Sequence, residues 1–305
     1  MSTLGIVALD AADYRLARDW NCDNLLLENH RELETFAYSN RYPNTVEVWT
    51  SAATGAHPED HGLLSTGEHQ DWRNPLLEYA SKVAPYVLPK DVRVAIGTRL
   101  RGDNDDDGAG MAMRQTSHSH LFEPEGRVVR WWPGVTPGEH VSETWHWFNL
   151  ASNGELSDAE LWRRLYGNAG VELGWLQGMA QAEVAVAGIH MHVLDAAGHT
   201  FASHPDRLRD VYERVDAMVG SLRDRVGDLL IVSDHGMQVE WIDGDDEPGL
   251  HSWRALASTT LSEPPESVYD IRDWVDERAD KGRDADRRAV MDTTEEQLRE
   301  LGYLE

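Results

Sequence analysis

The sequence predicts an α/β fold: a mostly parallel central sheet with helices on both faces, carrying a small insertion. Three observations predict it. Short, nearly continuous apolar runs recur along the chain, as buried parallel strands require. Helical stretches alternate with those runs, which is the pattern of strand–helix–strand units. Several runs end directly in Asp or His, and open α/β sheets bind their ligands at the carboxyl ends of their strands.

Leu4-Gly5-Ile6-Val7-Ala8-Leu9-Asp10 reads as a first buried strand ending in a carboxylate. Residues 13–20 have helical character, residues 24–27 suit a short strand and residues 31–36 a helix. Pro43 and Asn44 are turn residues. Thr45 then stands where a helix begins, and Gly55 where it stops. A helix N-terminus exposes free N–H groups and partial positive charge, which favour an anion. Taken alone, Thr45 reads as a simple N-cap. Residues 57–62 form a loop, residues 74–83 read as a helix and residues 92–97 as a strand. Patterning then weakens through the acidic stretch 103–110 and through residues 115–143, where His118, His120, Trp131 and Trp132 mix with Pro and Gly. Approximately residues 64–181 therefore include a cap-like insertion near the site, within a single domain spanning 1–305.

Residues 157–180 form a long helical stretch, with Ser157 as N-cap and Glu160 at the capping-box position. Residues 183–194 are the next strand, closed by Asp195-Ala196-Ala197-Gly198-His199. An amphipathic helix over 204–225 leads to the strand Asp228-Leu229-Leu230-Ile231-Val232, which ends in Ser233-Asp234-His235-Gly236. His251 follows an acidic loop and precedes a short strand over 255–258. Residues 267–279 and 294–301 read as terminal helices.

Composition narrows the function classes. Lys plus Arg number 28 and Asp plus Glu 54, for a formal net charge of -26. That charge argues against a nucleic-acid binder built on a broad basic surface. With 41% hydrophobic residues and 12 Trp, the chain is too apolar for an acidic disordered protein. The spread of acid along the chain suits a surface solvated in very high salt, as in an extreme halophile; an acidic mesophile is the alternative. Cys22 is the single cysteine, so neither an intrachain disulfide nor a thiolate metal site is expected. The N-terminal segment lacks the basic start and apolar run of a signal peptide, and no apolar stretch suits a membrane span. The expected location is cytoplasmic.

Five places converge in this reading: Asp10, Thr45, Asp195 with His199, Asp234 with His235, and His251. Carboxylates and imidazoles together suit Zn²⁺ or Mn²⁺ better than Mg²⁺ alone. The count fits two ions. One takes Asp195, His199 and His251; the other takes Asp10, Asp234, His235 and the Thr45 oxygen. Three carboxylates against two divalent ions leave a mildly cationic centre inside an acidic protein, which suits a small phosphate ester. Arg114 is a further candidate for pairing with a substrate anion. Trp131 and Trp132 read either as a stacking surface or, more simply, as packing of the insertion.

The same residues resemble the alkaline phosphatase superfamily, most closely its type I phosphodiesterase/nucleotide pyrophosphatase group. The resemblance rests on Ala8-Leu9-Asp10, on Pro43-Asn44-Thr45 running to Gly55, and on His57-Pro58 with His61-Gly62. It continues in Asp195 to His199, Ser233 to Gly236, His251 and Ser267-Val268-Tyr269-Asp270, and the terminal Leu301 to Glu305 is similar to the tail of haloarchaeal hydrolases. It implies an alkaline phosphatase-like core, two zinc ions held by the sets above, and Thr45 as the nucleophile that forms a covalent phosphothreonine. In many members an Asn four residues after the loop's His-Gly helps hold the phosphate; here that position is Thr66. Within the superfamily, a phosphomonoesterase or a sulfatase is an alternative activity. A sulfatase uses a Cys or Ser followed by Pro and Arg, and neither Cys22-Asp23-Asn24 nor Thr45-Val46-Glu47 fits that setting. A phosphosugar mutase would want a basic cluster in a chain where Lys is sparse. A member that binds metal without turnover is the remaining reading.

Overall fold

The computed structural model describes residues 3–64, 114–182 and 184–279, together with Arg299. The apolar run Leu4–Leu9 forms β1 and is buried along its whole length. It lies at the centre of a six-stranded sheet of order β2-β8-β5-β1-β4-β3. The other strands are β2 (Asn29–Leu33), β3 (Arg127–Arg130), β4 (Val186–Met191), β5 (Asp228–Val232) and β8 (Ala255–Thr259). β1 pairs in parallel with both β4 and β5, and β3 in parallel with β4. β8 runs antiparallel to β5 and to β2. Two short strands, β6 (Gly236–Met237) and β7 (His251–Ser252), form a separate antiparallel ribbon.

Side-chain alternation along β1 divides the core. Val7 and Leu9 pack with α1 (Tyr14–Asp19), α5 (Asp158–Gln181), α6 (Val193–Phe201) and α7 (Pro205–Gly220). Leu4, Ile6 and Ala8 pack on the other face with α2 (Thr45–Thr54) and α8 (Ile271–Arg278). Helices therefore cover both faces. Among the described residues, no helix is long and apolar enough to cross a membrane.

Several local expectations change. The segment read as a helix over 31–36 is the edge strand β2, bonded to β8. The loop at 57–62 contains a short helix, α3 (Pro58–His61). Asp195 lies not at a strand end but in the first turn of α6, which begins two residues after β4 stops. The weakly patterned region contains β3 and α4 (Glu139–Ser152). The expected helix at 74–83, the strand at 92–97 and Thr66 lie outside the described residues, as do all but Arg299 of the helix at 294–301.

Candidate active site

Strand direction gathers the chemistry. β1, β4 and β5 are parallel and adjacent, so the residues beyond their carboxyl ends share one edge. Asp10 follows β1, and its N–H still bonds to the Met191 carbonyl at 3.0 Å. Asp234 and His235 follow β5; Asp234 Oδ1 accepts from the Ala11 N–H at 3.2 Å. Asp195 and His199 sit one turn apart on α6, where an i,i+4 spacing places side chains on one face. The β6–β7 ribbon carries His251, paired with Met237. Thr45 is the first residue of α2, and Asn44 is the cap, accepting from the N–H groups of Val46 and Glu47. Thr45 is thus free of the capping role that its sequence context suggests.

The seven side chains meet in two groups. Asp195 Oδ1 stands 3.2 Å from His199 Nε2 and 3.7 Å from His251 Nε2. His235 Nε2 stands 3.4 Å from Asp10 Oδ1 and 3.2 Å from Asp234 Oδ2. The Thr45 hydroxyl completes that second group, 3.5 Å from Asp10 Oδ1 and 3.4 Å from His235 Nε2. Bonds of about 2.0–2.1 Å to a tetrahedral ion would separate neighbouring ligand atoms by about 3.3–3.4 Å. These separations cluster around that length.

Backbone carbonyls settle the tautomers. His199 Nδ1 lies 2.8 Å from the Gly249 oxygen, His251 Nδ1 2.7 Å from that of Pro43, and His235 Nδ1 3.0 Å from that of Gly236. A carbonyl oxygen only accepts, so each Nδ1 carries the proton and donates. When such a ring is neutral, it presents a bare Nε2 lone pair toward the carboxylates. His235 and His251 also stack, with ring centroids 3.6 Å apart.

Charge in this centre is poorly compensated by protein alone. Asp10, Asp195 and Asp234 are all buried. Burial, then the neighbouring Asp234 and Asp195 charges, raise the Asp10 carboxyl well above its ordinary range. Burial raises Asp234 to about 8. Asp195 goes the other way: burial opposes its charge, but His199 and His192 override it. His199 rises to about 9, because Asp195 outweighs the effect of burial. Burial lowers His235 to about 4 and His251 to about 3. Among the described residues, Asp10 Oδ2, Asp195 Oδ1 and Asp234 Oδ2 have no hydrogen-bond partner. Orphaned carboxylate oxygens facing imidazole nitrogens fit divalent cations better than they fit solvent. Among the described residues, three acid/imidazole groups meet the spacing of a cation site: Asp195-His199-His251, Asp10-Asp234-His235 and Asp10-His192-Asp195.

The mouth opens on one side. The His199 and His251 side chains are 29% and 21% exposed, and Thr45 is half-buried, whereas Asp10 and His235 are sealed. Arg114 is exposed, with Nη1 3.4 Å from the Leu64 carbonyl, and none of its described contacts is with this centre. Trp132 is buried, stands edge-on to Trp49 and donates its indole N–H to the Trp49 carbonyl. It is packing, not a stacking surface.

Sequence reasoning missed three buried histidines, His140, His190 and His192. His192 Nε2 is 3.0 Å from Asp195 Oδ2 and 3.5 Å from Asp10 Oδ2, and His190 Nε2 is 3.3 Å from the latter. The signal was present: two imidazoles interrupt an otherwise apolar strand run, where an imidazole needs a partner.

Fold and site together define the class: an α/β protein with a buried carboxylate–imidazole centre at the carboxyl edge of its sheet. More specifically, the chain belongs to the type I phosphodiesterase/nucleotide pyrophosphatase family, whose profile matches residues 41–300. Solved structures resemble it distantly. Murine ectonucleotide pyrophosphatase/phosphodiesterase 5 is 13% identical over 78% of this chain, with a TM-score of 0.38. This chain spans only 57% of that protein's length. Alkaline phosphatase from the Antarctic bacterium TAB5 is 9% identical over 90% of this chain and 96% of its own, with a TM-score of 0.43. A Pyrococcus horikoshii protein is 12% identical over 92% and 98%, with a TM-score of 0.44. No curated protein matches.

Proposed function

We propose that the protein is a two-metal hydrolase of small phosphate esters, preferentially diesters, acting through a covalent phosphothreonine at Thr45. One observation carries the reading. Three imidazoles are tied through Nδ1 to carbonyls and turn Nε2 toward carboxylates at ligand-edge spacing, beside a half-buried threonine hydroxyl. Family membership supports the same chemistry. Asp195, His199 and His251 would hold one divalent ion; Asp10, Asp234, His235 and Thr45 would hold the other. Mixed nitrogen and oxygen donors favour Zn²⁺, with Mn²⁺ as the alternative. Bound there, the two ions would supply positive charge to the phosphoryl group and ease ionisation of the threonine.

The protein's own part is positional. α2 presents Thr45 Oγ at the mouth of the centre, with the cap role delegated to Asn44. Oγ attacks phosphorus, the bond to the leaving oxygen breaks, and that oxygen departs as an alcohol after taking a proton. Water then attacks the phosphothreonine, releasing the phosphate product and restoring the hydroxyl. With 28 Lys plus Arg against 54 Asp plus Glu, the chain is poorly supplied for a broad basic surface, which favours a small ester over a nucleic acid as the substrate.

Thr45→Ala tests the reading. Turnover of bis-p-nitrophenyl phosphate should fall by roughly 10³-fold or more, while two equivalents of metal stay bound. Parallel assays with p-nitrophenyl phosphate, p-nitrocatechol sulfate and a phosphosugar, all in high salt, separate diesterase from monoesterase, sulfatase and mutase. Full activity in Thr45→Ala would overturn the nucleophile; a parent protein that binds no divalent metal would overturn the whole reading.

A further inference from the structure

One side of the mouth carries an aromatic ring that the core does not need. α4 buries His140, Thr144 and Trp147, at the i, i+4, i+7 spacing of an inward helix face. Trp145 lies off that face and is 43% exposed. A single exposed aromatic is ordinary on a protein surface. Its position separates this one. The indole centroid lies 5.9 Å from the His199 ring and 5.9 Å from the His192 ring. Trp145 therefore borders the Asp195–His199–His251 half of the centre, where the His199 side chain meets solvent.

The ring is held in that place. His192 is buried and stands edge-on to it, and Phe148, three residues along α4, lies 5.7 Å away and packs against the core. A wall fixed before the ligand arrives loses little freedom on binding. A second apolar side chain is exposed on the same half: Leu250, between His251 and Gly249, whose carbonyl accepts from His199 Nδ1. Apolar walls around a few convergent polar groups are the usual make-up of a small-molecule site.

Thr45 belongs to the other half. Its hydroxyl faces Asp10 and His235, whereas the ring contacts of Trp145 are with Phe148, His192 and His199. Phosphoryl displacement is roughly in line, so the departing oxygen leaves opposite the attacking one. Attack from the Thr45 half sends the departing alcohol toward the His199 half, where Trp145 stands.

We propose that Trp145 is a specificity-determining residue: its indole is a stacking wall for the alcohol that departs, and the preferred esters carry a flat aromatic leaving group. The inference rests on Thr45 being the nucleophile. In the step concerned, the bond from Thr45 Oγ to phosphorus forms and the bond from phosphorus to the aryl oxygen breaks. The threonine proton ends, through solvent, on the aryl alcohol.

The test compares methyl 2-naphthyl phosphate with methyl phenyl phosphate on the full, metal-loaded chain. Both leave the same methylphosphothreonine, so a difference between them arises before that intermediate. Trp145→Ala should lower the naphthyl-to-phenyl ratio of kcat/KM by about 3–10-fold, and Trp145→Phe should restore most of it. With p-nitrophenol as the common leaving group and naphthyl or phenyl on the retained side, the ratio should not move. Without metal or turnover, the indole N–H resonance of Trp145, assigned by its loss in Trp145→Ala, should shift on adding 2-naphthol and not on adding cyclohexanol. An unchanged ratio, an unmoved resonance, or a change confined to the retained side would overturn the inference and leave the Thr45 reading standing. An equal fall for both esters, or a lost metal equivalent, would make Trp145 a prop for His199 and overturn it as well. A parent that turns over no phosphate ester, or full activity in Thr45→Ala, would remove both readings.

Discussion

Three buried carboxylates in one centre make its cation affinity a function of pH. Without metal, Asp234 holds its proton up to about 8 and His199 up to about 9. The first shift comes chiefly from burial; the second comes from Asp195, which overcomes burial. A cation needs the carboxylate charged and the imidazole bare, so it must displace both protons. The sign follows: each proton opposes loading below its own pKa, and neither does above about 9. Metal affinity should therefore climb as pH rises from about 6 to 9, by up to about one log unit per pH unit for each proton displaced, and level off beyond. Calorimetric titrations in buffers of different ionisation heat measure the released protons directly. An affinity that stays flat over that range would remove the assignment of Asp234 and His199 as ligands.

At the scale of elements, the centre depends on a ribbon of two-residue strands. β6 and β7 are too short to hold His251 by their own ladder. Arg254 supplies the hold. It bonds buried Asp13 at 2.8 Å, the Met237 carbonyl at 2.9 Å, and both oxygens of Asp245 at 2.7 and 2.8 Å. Asp13 in turn caps α1 and accepts from Ser252. Gly236 is where these elements come closest. A Cβ there would lie 2.4 Å from Asp13 Oδ2, 2.6 Å from Ser252 Oγ and 2.8 Å from the Arg254 carbonyl. Gly236→Ala should cost about 1–3 kcal/mol, seen as a lower denaturation midpoint with an unchanged m-value. It should also weaken metal binding, because His235 and His251 flank the displaced contact.

The same elements show what a sequence discloses. β1 and β5 were legible because their residues are buried on both faces, so an apolar run marks strand and site residue together. β2 was not: Asn29–Leu33 is a largely polar edge strand, and its partner β8 lies more than 200 residues away. Nothing local separates such a segment from a short helix. The direction of β8 was equally silent, since pairing sense is a property of the sheet. Asp195, expected at the end of a strand, stands in the first turn of α6. β4 passes into α6 through His192 without a turn residue, so the apolar run hides the junction. His190 was hidden by the same run, and His140 by the weak patterning around it.

For the whole molecule, the dominant fact is a net charge of -26 on 305 residues. Like charges spread over a folded surface repel, and the unfolded chain relieves that repulsion by expanding. Ion pairs offset only part of it, because exposed pairs such as Arg209–Glu213 and Arg18–Asp19 contribute little. Salt shortens the reach of the repulsion, from about 10 Å at 0.1 M to about 3 Å at 1 M. We propose that the protein is built for the high-salt regime. Its Tm, measured with metal saturating so that ligand linkage stays fixed, should rise steeply as KCl increases toward about 1 M and then flatten. NaCl should match KCl at equal ionic strength, because screening depends on charge and not on ion identity. A rise that begins only above about 1 M and continues linearly would point to salt exclusion from apolar surface instead. An unchanged Tm between those two concentrations would mean that the acidic surface carries no net repulsion to screen, and the halophilic reading would fall with it.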